Sequence, residues 1–418
     1  MLDLLLKNVR LPEGRTVDLS IARGSVVHAG GGGKADETVD CSGLLVLPGG
    51  VDMHVHMRGG PRESRKEDWG TGSRAALAGG VTLVVDQPNT DPPLTTVGAF
   101  QARVREAQRD SLCHFAVNAG AVPGAPLQDL RGSGAMAFGE IFLAPSTGSV
   151  GASPVETRRL IGEIHAMGAV GTIHAEKALE VPAPEDLASH SMSRPPEGEV
   201  MAIEEVKGMT PAGMRLHFCH LSTADAVMAS APYTSEVTPH HLLLSQEDFR
   251  SDDPRGKVNP PLRRAADRRK LLSSWDRIFV LASDHAPHTK EEKSGEFSGA
   301  PAGMPGVETM IPLLIPRVLS REITLASLIA KTSVNPCSIL GIPAPGFSPG
   351  SRADFALYPE EVTTVKAENL HSRCGWTPFE GREAVFPETV ILGGGVVFRH
   401  GDFDRGSPRW FPGRGYIP

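Results

Sequence analysis

Residues 51–60 read VDMHVHMRGG, an apolar run interrupted by an aspartate, two histidines one residue apart and an arginine. In an extended strand successive side chains alternate faces, so Asp52, His54 and His56 share one face while Val51, Met53 and Val55 share the other and can pack on helices. The two imidazoles can then converge on one point inside a barrel, at the strand end where such folds place their chemistry.

Outward from this strand, seven further apolar runs follow at 81–86, 113–118, 136–143, 170–174, 216–220, 236–238 and 278–284. Helical text such as KEDWGTGSRAALAGG, PVETRRLIGEIHAMG and STADAVMASAP lies between most of them. Strands alternating with helices are the pattern of a wrapped parallel sheet, and eight such units predict a (β/α)8 TIM barrel over 48–342. The flanks differ: LDLLLKNV, TVDLSIARGSVVHAG, RADFALYP and TVILGGGVVFRHGDF are short runs parted by glycine-rich turns, as in antiparallel sheets. Segments 1–47 and 343–418 are therefore expected to build one small β-sandwich domain from both chain ends. No fixed-period repeat or low-complexity tract is present.

A chain of 418 residues suits one large domain with an accessory one. A net charge of −7 and a pI near 6.1 supply no basic footprint for nucleic acid or an acidic membrane. Cys41, Cys113, Cys219, Cys337 and Cys374 are scattered and form no C-x-x-C pair, so they read as neither a disulfide framework nor a zinc knuckle. The opening MLDLLLKNVRLPEG has no leader-like pattern, and no run of about 18 apolar residues occurs. A cytoplasmic protein acting on small molecules is expected.

The polar residues late in the strands carry the chemistry. His174 ends GTIH, His220 ends LHFCH, Asp284 follows VLAS, and Glu140 stands inside the apolar AFGEIFL. With His54 and His56 they form a nitrogen and carboxylate donor set suited to zinc or another divalent metal. An unpaired carboxylate at 140 would be too costly to bury, so it requires a cation or proton. His165, His217, His240, His241 and His285 need not be ligands; position favours His220 over His217, because it lies nearer the strand end. Asp284 could instead cap the following segment, but the run SDHAPH favours a ligand.

The motifs DMHVHMR, KEDWGTGSRAALAGGVT, QPNTDPP, IHAE, CHLSTADAV, TPHHLLL, KVNPPLR, SDHAPHTKEEK and GMPGVET resemble the dihydroorotases of the amidohydrolase superfamily, in that family's order from about residue 49 to 341. GSRADFAL through TPFEG is similar to the family's C-terminal segment. The resemblance implies a cyclic amidohydrolase interconverting N-carbamoyl-L-aspartate and L-dihydroorotate in de novo pyrimidine biosynthesis. It implies one or two zinc ions, other divalent metals being possible, with His54, His56 and Asp284 as ligands of one metal and His174 and His220 of the other. Asp284 would also move the proton from the attacking nucleophile to the departing ring nitrogen. Arg58, Asn89 and His288 would bind the substrate carboxylate, and Asn259 is a weaker candidate for the ring. A homodimer and an association with aspartate carbamoyltransferase are implied as partners.

One departure stands out. Many amidohydrolases carry a carboxylated lysine where this chain has Glu140, and a glutamate carboxyl carbon lies roughly 3–4 Å nearer the backbone. Glu140 is expected to ligate or bridge directly, with a single-metal site as the alternative. Two other readings are a hydantoinase-like or allantoinase-like enzyme, disfavoured by Arg58, and a non-catalytic scaffold relative, disfavoured by the intact ligand positions.

Overall fold

The computed structural model describes residues 2–146 and 151–417. The chain opens with β1 (Leu2–Arg10), β2 (Thr16–Ala22), β3 (Ser25–Ala29) and β4 (Ala35–Asp40), a sheet in the order β3-β2-β1-β4. Its glycine turns give two hairpins, but β4 runs parallel to β1, because the chain returns along β1's free edge. The expectation of purely antiparallel pairing fails at that one edge. β5 (Leu44–Pro48) then leads into the barrel.

All eight expected barrel strands form: β6 (Gly50–Val55), β7 (Val81–Asp86), β8 (His114–Val117), β9 (Phe138–Phe142), β10 (Val170–His174), β11 (Arg215–Phe218), β12 (Thr234–Val237) and β13 (Val280–Leu281). They pair in parallel as two arcs, β6-β7-β8 and β9 through β13. Parallel bridges Ala119–Phe138 and Val55–His285 join the arcs into a closed ring. The helices between them start where the sequence supplies caps: the side chains of Asp68, Thr96 and Ser153 accept from the first-turn amides of the helices Trp69–Ala78, Val97–Asp110 and Pro154–Ala166.

Strict alternation along β6 does not hold. Its register against β7 shifts at Gly50/Val51 and again between Asp52 and Val55. Val51 and Met53 consequently pack with Leu83, Val85, Ala116, Val170, Val280 and Ala282, the filling of the barrel's lower end, while Val55 joins the cluster between strands and helices. The extra residue re-aims the chain so that His54 and His56 both reach the mouth. Cys337, Ile339 and Leu340, from the helix Asn335–Leu340, plug the opposite end. Trp69, Phe100, Phe115, Phe138 and Phe218 are fully buried in the strand–helix layer, where deleting one ring costs about 3–5 kcal/mol.

The chain then forms β14 (Phe355–Pro359), β15 (Thr363–Thr364), β16 (Glu383–Ala384), β17 (Thr389–Leu392), β18 (Gly395–Arg399) and β19 (Asp402–Phe403). A sheet in the order β19-β18-β17-β14-β5 unites both chain ends, and Leu4, Leu6, Leu19 and Ile21 of the first sheet pack with Val46, Phe355, Leu357 and Ile391 of the second. The C-terminal segment also reaches the barrel. Trp376 and Phe379 pack with Leu244, Val258, Leu262 and Met304, while Arg409 and Phe411 exchange backbone hydrogen bonds with Phe115. Burial of these large apolar rings against the barrel draws that chain away from the sheets.

Candidate active site

The strand ends bring six side chains together. His54 lies in β6 and His56 just beyond it; Glu140 lies in β9, His174 ends β10, and His220 and Asp284 follow β11 and β13. His54 Nε2 is 3.5 Å from both Glu140 Oε1 and Asp284 Oδ1. His56 Nε2 is 3.1 Å from Asp284 Oδ1, and His220 Nε2 is 2.9 Å from Glu140 Oε1. His174 turns Nδ1 toward the same Glu140 oxygen at 3.8 Å. None of the six is more than 9% exposed.

The backbone is bent to make this cluster. Arg58, His220 and Asp284 have positive φ (44°, 34° and 44°), a conformation costly to non-glycine residues and found where geometry serves function. Glu140 reaches the histidines without a lysine's length, and the residue before it lies tight against β10. Gly139, at φ 144°, packs so tightly that a Cβ would collide with Thr172.

Carboxylates behind the histidines fix their orientation. His54 Nδ1 is 2.5 Å from Glu236 Oε1, and His174 Nε2 is 2.6 Å from Glu176 Oε2. Each ring therefore presents its other nitrogen to the cluster, the arrangement in which an outer carboxylate orients a metal-binding imidazole. Glu236 also takes His217 Nε2 at 3.1 Å, which explains why that histidine stays out of the cluster. Arg194 Nη1 holds Glu176 at 2.7 Å, so the segment SHSMSRPPEGEVMAIEEV borders the site. Sequence reading missed Glu236 and Glu176, although a carboxylate in a buried strand, the signal that singled out Glu140, marks Glu236 as well.

The electrostatics call for positive charge. Burial opposes charging of His174, yet hydrogen bonds with Glu140 and Glu176 outweigh it and push the pKa up to about 9. Burial likewise opposes protonation of His54, and the charges of Glu140 and Glu236 hold it well above the usual range. Burial alone would raise the carboxyl of Asp284, but the His56 hydrogen bond and the nearby histidines hold it below its ordinary value. Among the described residues, His54, His56 and Asp284 form one group of atoms close enough to share an ion, and His54, Glu140 and His220 form another. His54 Nε2 is buried with no hydrogen-bond partner among the described residues, as a ligand nitrogen awaiting a cation would be. The donor set fits a divalent metal.

Above the cluster is a cavity lined by His56, Arg58, Asn89, Glu140, His174, His220, Asn259 and Asp284. The Oδ1 atoms of Asn89 and Asn259 are buried without partners among the described residues, free for a ligand. Arg58 is 8% exposed, and its nearest carboxylate among the described residues is Glu63 at 4.0 Å. His288 packs against Arg58, with Nε2 3.4 Å from Arg58 Nη2 and 3.1 Å from the Ala302 carbonyl. Burial, against the opposing pull of Glu292, lowers its pKa to about 3, so the ring is neutral beside the guanidinium. Gln87 spans strands, donating to Met53 O at 3.1 Å and accepting from Asn118 at 3.3 Å.

A family model described as the amidohydrolase family matches residues 45–372. The chain belongs to the amidohydrolase family. This amidohydrolase is 37% identical to a dihydroorotase of Methanosarcina acetivorans, over 95% of the chain and 92% of the relative. It is 37% identical to a dihydroorotase of Halobacterium salinarum, over 94% of the chain and 96% of the relative. Among solved structures, an L-hydantoinase (dihydropyrimidinase) from Arthrobacter aurescens matches with a TM-score of 0.92 and 27% identity, over 99% of the chain and all 100% of that protein. A dihydropyrimidinase from Brevibacillus agri, with a TM-score of 0.88 and 23% identity over 100% of both chains, shares the fold. The family is metal-dependent, in keeping with the cluster. Among the described residues no helix of this amidohydrolase is long and apolar enough to cross a membrane.

Proposed function

We propose that this amidohydrolase is a dihydroorotase, interconverting N-carbamoyl-L-aspartate and L-dihydroorotate in de novo pyrimidine synthesis. The curated relatives support the activity, and the carrying observation is Arg58. Its buried guanidinium stands on the cavity wall with no carboxylate among the described residues closer than 4.0 Å, matched to the substrate carboxylate that hydantoin, dihydropyrimidine and allantoin lack.

His54, His56, Glu140, His174, His220 and Asp284 would hold the metal. A divalent cation there supplies Lewis acidity, lowering the pKa of water and polarising the carbonyl under attack. Asp284, kept ionised beside His56, takes the proton from the attacking water and delivers it to the departing ring nitrogen. Arg58 grips the carboxylate together with Asn89, and Asn259 offers its amide oxygen to a ring N–H. In the biosynthetic direction the same groups act in reverse.

The test follows ring opening of dihydroorotate by ultraviolet absorbance, with hydantoin and allantoin as controls. Activity on dihydroorotate alone is expected; activity on the controls alone, or on none, refutes the proposal. Arg58→Met should raise KM for dihydroorotate by roughly tenfold to a hundredfold, the worth of charge-assisted hydrogen bonds. An unchanged KM would remove the case for this substrate. Asp284→Ala should leave less than about a thousandth of the rate in both directions, and retention of a tenth would defeat its assignment.

The finer reading is also a proposal. The ions are zinc, one or two per subunit, with Glu140 as a direct ligand; equal metal content and activity in Glu140→Gln would exclude that role. The division into 1–47, 48–342 and 343–418 is supported by the pairing of β5 with β14. A homodimer, association with aspartate carbamoyltransferase and a cytoplasmic setting belong to the same reading. Sedimentation of the protein, alone and with the transferase, tests the two associations.

A further inference from the structure

The guanidinium of Arg58 is positioned by a chain segment remote in sequence. Arg58 Nε donates to Pro287 O at 3.2 Å, and its Nη2 lies 3.4 Å from His288 Nε2, so the backbone and ring at 287–288 fix where the cation points. That backbone is held in turn from the C-terminal side: Trp376 Nε1 donates to His288 O at 2.7 Å. Trp376 is only 7% exposed and packs in a cluster with Val258 and Met304.

Neighbouring contacts brace the same wall. Lys293 Nζ lies 5.9 Å over the Trp376 ring and donates to Lys257 O and Pro301 O, at 3.0 and 2.9 Å, pinning the loop that supplies Ala302 and Gly303 to the cavity. On the other side, Ser372 Oγ donates to Glu67 Oε2 at 2.5 Å, and Arg373 pairs with Asp68 at 2.6 Å. Glu67 faces His285 Nε2 at 3.4 Å, and His285 O accepts from His56 N at 2.8 Å. Segment 372–376 thus straps across the two loops that carry Arg58 and His288.

We propose that Trp376 is a positioning residue for substrate-carboxylate recognition, acting through its indole N–H on the His288 carbonyl and thereby on Arg58. A positioning group acts only through what it positions. Its loss should weaken capture of the acidic substrate, leave the chemical step alone, and have no effect once Arg58 is gone.

The inference rests on the proposed reading of Arg58, and the experiment separates the two. Steady-state kinetics on dihydroorotate are measured for the metal-loaded wild type, Trp376→Phe, Arg58→Ala and the double variant, each checked by thermal unfolding. Trp376→Phe keeps an aromatic ring and removes the donor; Trp376→Met, which is apolar and also lacks a donor, is the second variant if the first does not fold. Expected is a KM raised roughly threefold to tenfold, with kcat within about twofold, and no added effect in the Arg58→Ala background. An unchanged KM overturns the inference, as does the same fold-loss with and without Arg58, which marks a purely structural role. If Arg58→Ala itself leaves KM unchanged, the reading of Arg58 fails first.

Discussion

His54 is held on Nδ1 by Glu236 at 2.5 Å, while its Nε2 faces Glu140 and Asp284 at 3.5 Å. A carboxylate so placed raises ligand basicity and fixes the tautomer, and its loss typically costs ten- to a hundredfold in metal affinity. Glu236→Gln should therefore weaken metal binding by about that factor, read as a lower chelator concentration for half-depletion; an unchanged titration would reduce Glu236 to a partner of His217. At this scale the sequence was informative where chemistry is tied to a strand end. His54, His56, His174, His220 and Asp284 could be picked out because polar groups end apolar runs, and Glu140 because a carboxylate interrupts one. The contact of His288 with Arg58 depends on how a loop folds over the guanidinium, which no spacing encodes.

At the scale of elements, the eight strands were legible from apolar runs and helical text, while their ends were not. The run 278–284 yields only β13 (Val280–Leu281), since Asp284 turns to the cluster at φ 44°. The face assignment along β6 failed at Val51 and Met53 because a register shift between Asp52 and Val55 defeats the two-residue period. Close approach of β9 and β10 is a second feature of elements that the residue types hide. Gly139→Ala places a Cβ against Thr172 at φ 144°, and should cost roughly 2–5 kcal/mol in denaturant unfolding while displacing Glu140. A variant of wild-type stability and metal content would show that the site tolerates a side chain at this contact.

For the whole molecule, four buried histidines facing Glu140 and Asp284 make the folded state one that binds cations while the unfolded chain has no such site. Free metal at about a thousand times its Kd should then stabilise the fold by ~4 kcal/mol, visible as a Tm that rises with metal and falls with chelator. A Tm indifferent to both would deny the cluster a metal. Both chain ends joining beside a barrel was readable from their matching texture; the reach of the C-terminal segment to the barrel was not, because Trp376 and Phe411 find partners far away in sequence. The most direct test of the central claim is an anomalous-scattering crystal structure of the metal-loaded protein soaked with dihydroorotate. The account predicts metal within ~2.0–2.2 Å of His54, His56 and Asp284 and the substrate carboxylate on Arg58. Metal density elsewhere, or a ring bound with its carboxylate turned away from Arg58, would contradict it.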